Sequence, residues 1–329
     1  MLKLGLLGAG RIGITHAKAV MAVPDATISA IFDPLDAAAE AAMEITGGKR
    51  ATVEEIMASP DIGGVIIATP TDLHAGQIEL AARAGKAIFC EKPIDLSIER
   101  VRQCLDTVEK SGVVLMVGFN RRFDKSFGRL KGEIEKGSVG EVELVQITSR
   151  DPAAPPVEYI KRSGGIFRDM MIHDFDMARW LLGEEITEVC ATGSALTDPA
   201  IAEANDYDTA TATLRTKSGK IAVITNSRRA SYGYDQRIEV HGSLGMAEAG
   251  NHRATSVTIA SGDGYKTDPL LDFFMERYAD AYSAELQTFV KILQGEPVLF
   301  PDGQDGLRAL ALADAALASL QAGKTVRLA

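Results

Sequence analysis

A chain of 329 residues, 46% of them hydrophobic, is long enough for two domains with packed cores. Its 45 acidic residues outnumber 35 basic ones for a formal net charge of −10. This excludes the basic footprint that a nucleic acid or an anionic membrane surface needs as a partner, and leaves small-molecule chemistry. Cys90, Cys104 and Cys190 are too few and too scattered for a disulfide framework or a zinc pattern, and they suit a reducing cytoplasm.

The opening run MLKLGLLGAGRIG has an apolar stretch too short for a secretory segment and reads as structure. Strands are expected at 3–7, 27–32, 63–69, 87–91 and 113–119, separated by helical patterns near 12–22, 36–45, 74–85 and 97–110. Near-continuous apolar strands alternating with helices indicate an α/β, doubly wound parallel sheet over residues 1–120. Beyond a helix near 122–136 the rhythm changes to alternating β-like runs. These are EVELVQITS, TEVCATGSAL, DTATATLRT, KIAVITNSR, QRIEVHGSLGMAEA and TSVTIA, and turn signals separate several of them as in an antiparallel meander. Residues 121–329 therefore read as an α+β domain that ends in helices near 270–294 and 303–323, one of which is expected to pack back on the first domain. With no apolar run near 18 residues and no internal repeat, a soluble globular protein is expected.

Gly8, Gly10 and Gly13, with Arg11 and Ile12 between them, follow the first strand and open the first helix. Such a loop makes a tight turn, admits a pyrophosphate close to the backbone and packs helix on strand, with the phosphates at the helix N-terminus. A lone glycine pattern could be an ordinary turn, but Asp33 ends the second strand 20 residues after Gly13, where a carboxylate hydrogen-bonds the adenosine ribose. That carboxylate repels a 2′-phosphate and no arginine follows in FDPLDAA, so NAD is expected rather than NADP. ATPTDLHAGQ leaves the third strand at the carboxyl edge of the sheet, which puts Thr69 and His74 within reach of the cofactor. In the plainer reading Thr71 or Asp72 caps the helix and His74 is a first-turn residue. CEKPI places Glu91 and Lys92 at the same edge, with Pro93 fixing the backbone after them.

GGIFRDMMIHDFDMARWLLG, residues 164–183, sets three aspartates and a histidine among apolar side chains. If 168–181 is one helix, Asp169, His173 and Asp176 share a face, and Asp174 is rotated by about 100° from His173. That face alone is compatible with a divalent metal site, a histidine base beside an orienting carboxylate, or a buried structural pair.

The glycine loop, TPTDLH, EKP and GGIFRDMMIHDFD together resemble the glucose-fructose oxidoreductase/inositol dehydrogenase family of NAD(P)-dependent oxidoreductases, over nearly the whole chain. Within it, SGGIFRDMMIHDFDMARWL and YGYDQRIEVHG most resemble the bacterial inositol 2-dehydrogenases. The resemblance implies a Rossmann domain, a second domain whose large open, mainly antiparallel sheet serves oligomer contacts, and a homotetramer. It also implies that Lys92 works at the reacting hydroxyl, that the peptide bond before Pro93 is cis, and that Arg122 of GFNRRF lies near cofactor and substrate; the plainer reading of Arg122 is a surface residue at a helix start.

Hydride transfer from an alcohol needs a proton acceptor and a group that stabilises the developing alkoxide, while the cofactor does the redox chemistry. His173 suits the first task, with Asp169 orienting its ring, and Lys92 the second. No metal is then required. Asp176 is expected to take a further substrate hydroxyl, with Asp151, Tyr232 and Tyr234 as additional candidates, while Asp174 is left with an N–H or helix-end partner. The expected reaction is NAD-dependent oxidation of a cyclitol, myo-inositol to 2-keto-myo-inositol; a related sugar or scyllo-inositol dehydrogenase and a catalytically silent NAD-binding regulator are the alternatives.

Overall fold

A computed structural model describes residues 1–328. In chain order the elements begin with β1 (Leu2–Leu7), α1 (Arg11–Met21), β2 (Ala26–Phe32), α2 (Asp36–Thr46), β3 (Lys49–Arg50), α3 (Val53–Ala58), β4 (Ile62–Ile67), α4 (Thr71–Arg83), β5 (Ala87–Cys90), α5 (Ile98–Ser111) and β6 (Leu115–Val117). They continue with α6 (Lys125–Glu135), β7 (Val142–Arg150), α7 (Val157–Ser163), α8 (Gly165–Asp169), α9 (Ile172–Leu182), β8 (Ile186–Ser194), α10 (Pro199–Glu203), β9 (Thr209–Thr216) and β10 (Ile221–Ser227). Last come β11 (Asp235–Gly242), β12 (Gly245–Ala249), β13 (Thr258–Ser261), β14 (Gly264–Thr267), α11 (Phe274–Arg277), α12 (Ala279–Leu293), α13 (Gly303–Ala322) and β15 (Val326–Arg327). One compact unit comprises 1–124 with 279–310; the other runs from Lys125 to Tyr278 and resumes at Ala311. No helix among the described residues is long and apolar enough to cross a membrane.

The first unit is built on a parallel sheet of order β3-β2-β1-β4-β5-β6. Leu4, Leu6, Val65, Ile66, Ile67, Ile88 and Phe89 are fully buried, as strands covered on both faces require. Each such side chain contributes about 1.5–3 kcal/mol through burial. The chain order reverses at β1, which lies between β2 and β4, so the carboxyl ends of β1 and β4 form the switch point where open α/β sheets bind ligands. Two short elements, β3 and α3, were not expected. A two-residue strand carries no periodicity, but α3 opens with a legible capping box in which Thr52 Oγ1 accepts from the Glu55 amide and Glu55 Oε2 accepts from the Thr52 amide. α12 packs against α1 within this unit.

The second unit carries a seven-stranded sheet of order β12-β11-β7-β10-β9-β8-β15. Its pairs are antiparallel except β7 with β10, which run parallel in register from Ile221 opposite Leu144 to Ser227 opposite Arg150. The expected meander therefore holds for β8 to β10 alone, because four helices and the strands β8 and β9 lie in the chain between β7 and its sheet neighbour β10. The TSVTIA run does not join this sheet. It pairs as β13 with β14 in a separate hairpin whose residues are all exposed, so no buried face pins it to the larger sheet. α9 lies against β7 and β10 and buries Phe175, Met177 and Leu181.

Candidate functional site

Gly8 leaves β1 with φ +90°, and a Cβ there would stand 2.6 Å from the carbonyl oxygen of Ala68 at the end of β4. A Cβ on Gly13 would collide with the Gly8 carbonyl, so these two glycines close the turn and seat α1 on the sheet. Gly10 differs: a Cβ would meet nothing within 4 Å, and the residue caps α1 without a side-chain hydrogen bond. No acidic residue occupies the first turn of α1, where Arg11 is exposed and Ile12 half-buried. The result is a helix N-terminus facing open space, a suitable seat for phosphates. Asp33 Oδ2 accepts the Ala9 amide at 2.7 Å and Oδ1 accepts the Leu35 amide at 2.9 Å. Its carboxylate, 8% exposed, thus braces the glycine loop and retains lone pairs for ribose hydroxyls. These features fit a dinucleotide.

In the next loop both polar candidates have protein partners. Thr69 Oγ1 donates to Gln77 Oε1 at 2.7 Å, and His74 turns both ring nitrogens to backbone carbonyls, Nδ1 to Pro93 and Nε2 to Thr69, each at 2.8 Å. His74, 2% exposed, has no ring nitrogen left for a cofactor. Instead it ties the end of β4 to the cis Lys92–Pro93 peptide. The helix cap is Pro70, not Thr71 or Asp72. Glu91 likewise turns inward: Oε1 accepts from His16 Nε2 at 2.6 Å and Oε2 from the Lys92 amide at 3.3 Å. Lys92 itself is half-buried at the strand end. Arg122 pairs with Asp305 at 3.1 Å, an anchor the sequence did not reveal.

In the second unit, the expected helix 168–181 is interrupted. α8 ends at Asp169 and α9 begins at Ile172, because the Met171 amide reaches back to the Ile166 carbonyl at 2.8 Å, one residue farther than an α-helix allows. Asp169 is therefore not on a continuous face with His173. It accepts the Tyr159 hydroxyl at 2.9 Å and lies 3.6 Å from the guanidinium of Arg228. Arg228, 1% exposed, also binds Asp206 at 2.6 Å, and Asp206 accepts the Ile166 amide at the start of α8. Sequence reasoning missed Tyr159, Asp206 and Arg228, and no local spacing could have linked them.

His173 and Asp176 share α9, the first half-buried and the second 1% exposed. Asp174 on the adjoining face is fully buried; Oδ1 accepts from Ser149 Oγ at 2.6 Å and Oδ2 from Asn226 Nδ2 at 2.8 Å. The expected N–H partner is thus the side-chain amide of Asn226 on β10, joined by the Ser149 hydroxyl of β7. Asp151 is half-buried just beyond β7, and its amide donates to Ser227. Tyr234, 6% exposed, packs edge-on against Phe273 and Tyr278. The Tyr232 hydroxyl donates to Asp235 at 2.7 Å and accepts from Arg150 at 3.0 Å. Burial, then the bond to Asp235, raises the Tyr232 phenol above its ordinary range. Burial likewise pushes the Cys104 thiol up to about 12, so it is no nucleophile.

Residues 2–119 match the family model described as an oxidoreductase family with an NAD-binding Rossmann fold, and residues 127–248 match the GFO/IDH/MocA C-terminal domain. The chain is 57% identical over 327 residues to inositol 2-dehydrogenase of Rhizobium meliloti, covering 99% of each chain. It is 44% identical over 330 residues to myo-inositol 2-dehydrogenase of Thermotoga maritima, covering 99% and 98%. Its structure matches that of scyllo-inositol dehydrogenase from Lactobacillus casei with bound NAD(H) and scyllo-inositol, with TM-score 0.92, 31% identity and 99% of both chains covered.

Proposed function

The chain belongs to the GFO/IDH/MocA family of oxidoreductases, and from that premise we propose that it is an NAD-dependent dehydrogenase oxidising myo-inositol to 2-keto-myo-inositol. The observation that carries the substrate is the 57% identity to a whole inositol 2-dehydrogenase. Bound NAD supplies the hydride acceptor. The amides at the start of α1 receive the pyrophosphate, and Gly10 leaves room for it. Asp33, already oriented by two backbone amides, accepts from the adenosine ribose and disfavours a 2′-phosphate.

Lys92 donates to the reacting oxygen and favours its alkoxide form, and His173 accepts the hydroxyl proton. Asp169, held by Tyr159 and Arg228 in the segment just before α9, would supply the negative charge that steadies the imidazolium despite the break in the helix. Asp176 takes a further substrate hydroxyl. A cytoplasmic homotetramer serving myo-inositol catabolism completes the reading, its assembly to be measured by light scattering on the eluted protein.

The deciding experiment follows NADH absorbance with NAD or NADP and a panel of inositol epimers and hexoses. myo-Inositol with NAD is expected to give the highest kcat/KM. The relation to the scyllo-inositol enzyme makes that epimer the second reading, and faster turnover of it would replace the first.

A further inference from the structure

The first unit holds a group of ionisable side chains that the proposed chemistry leaves unused. His16 on α1, Glu91 after β5 and Glu285 on α12 each bring a nitrogen or oxygen within 4.8 Å of the other two. His16 and Glu285 are fully buried and Glu91 is 8% exposed. The contact between His16 Nε2 and Glu91 Oε1 is 2.6 Å, and because a carboxylate only accepts, Nε2 carries the hydrogen. Phe89 and Tyr282 meet the imidazole edge-on, and a Cβ on Gly118 would come within 3.3 Å of the Glu91 carboxyl, so the pair is tightly housed. Both oxygens of Glu285 lack a hydrogen-bond partner among the described residues.

Two buried carboxyls at this separation cannot both hold a charge without a cation, and His16 is the only basic group paired with either among the described residues. α12 also packs against the 3-10 turn Asn120–Phe123. There Arg122 pairs with Asp305 and Arg121 is buried, while the charge acting on Glu285 is that of Glu91. Burial, then that charge, pushes the Glu285 carboxyl well above its usual range. A divalent metal would also neutralise the group, but bonds of about 2.0–2.2 Å at tetrahedral angles keep two ligand atoms roughly 3.3 Å apart. The 2.6 Å contact is a hydrogen bond instead.

We propose that Glu285 is a carboxylic acid in the native protein and turns its O–H toward Glu91, making Glu285, Glu91 and His16 a positioning device for Lys92. Glu91 is then the ionised acceptor for His16 and for the Lys92 amide, which it holds from Oε2 at 3.3 Å. An ionised Glu285 would repel Glu91 and loosen that hold. The importance of Lys92 rests on the function proposed above; the proton on Glu285 does not.

Infrared difference spectroscopy on the full chain tests the proton directly, wild type against Glu285→Gln. A protonated carboxyl stretch, well above the carboxylate bands, is expected in the wild type at neutral pH and absent in the variant. Its absence from the difference spectrum overturns the proposal, as does a stoichiometric divalent metal that Glu285→Gln removes.

Hydrogen exchange at the Lys92 amide reads the positioning without turnover. Glu285→Ala should speed it on the order of 10-fold and lower kcat by a similar factor with KM for NAD unchanged, and Glu285→Gln, a neutral donor of the same shape, should restore both. Wild-type exchange and kcat in Glu285→Ala refute the device. If no polyol is oxidised, the role of Lys92 falls while spectrum and exchange still decide the cluster.

Discussion

Replacing Asp174 with alanine removes the acceptor that joins α9 to two sheet strands and leaves a buried hydroxyl on Ser149 and a buried amide on Asn226 without it. All three side chains are at most 2% exposed, so water cannot replace the lost bonds. Hydrogen bonds to a carboxylate contribute about 1.5–3 kcal/mol each, so the loss of two gives about 3–6 kcal/mol of destabilisation. Asn226 Oδ1 has no hydrogen-bond partner among the described residues, so in Asp174→Asn the Asn226 amide can flip and accept from the new side chain, which limits the cost to about 1–2 kcal/mol. Trp180 is the sole tryptophan and sits on α9, so its fluorescence during urea unfolding reports the second unit. With a slope near 2 kcal/mol/M the midpoint should fall by about 2 M in Asp174→Ala. A shift below half that, or equal shifts in both variants, would refute the role assigned to Asp174.

Asp33→Ala should raise KM for NAD by roughly 10- to 100-fold and narrow the preference over NADP, since it removes a carboxylate that accepts from the loop and is proposed to bind ribose; initial rates with both cofactors measure this. His173→Ala should lower kcat by about 10²–10⁴, and wild-type turnover would remove His173 from the mechanism. Glu285 yields a stability test with a definite sign. Its carboxyl is raised in the folded state above the ordinary 4.5, so its contribution is complete below that value and is lost as pH rises toward the folded pKa. Relative to Glu285→Gln, the wild type should therefore lose about 1.4 kcal/mol per pH unit across that window, and parallel stability–pH curves from denaturant titrations would contradict the assignment.

Which features were legible depended on how far apart in the chain their parts lie. The glycine loop and Asp33 form one strand-turn-helix-strand unit, and Lys92 stands at a strand end, so periodicity and spacing expose them. Tyr234 also packs edge-on against Phe273 and Tyr278, an aromatic cluster that period-two alternation does not reveal. The face shared by Asp169 and His173 followed from assuming ideal helix geometry. The turn at Met170 and Met171 breaks it, with Asp169 held from outside by Tyr159 and Arg228.

By itself the sequence determined the alternating architecture of the first unit, its dinucleotide loop and the acidic residue that braces that loop, since each is written in neighbouring residues whose backbone chemistry is local. Only the tertiary structure decided that Asp174 bonds Ser149 and Asn226, 25 and 52 positions away, and that Glu285 meets His16 and Glu91. It also tied His74 to the carbonyls of Pro93 and Thr69, and Glu91 to His16. A buried polar group must find its partner wherever the fold supplies one, and that partner leaves no periodic trace in the chain.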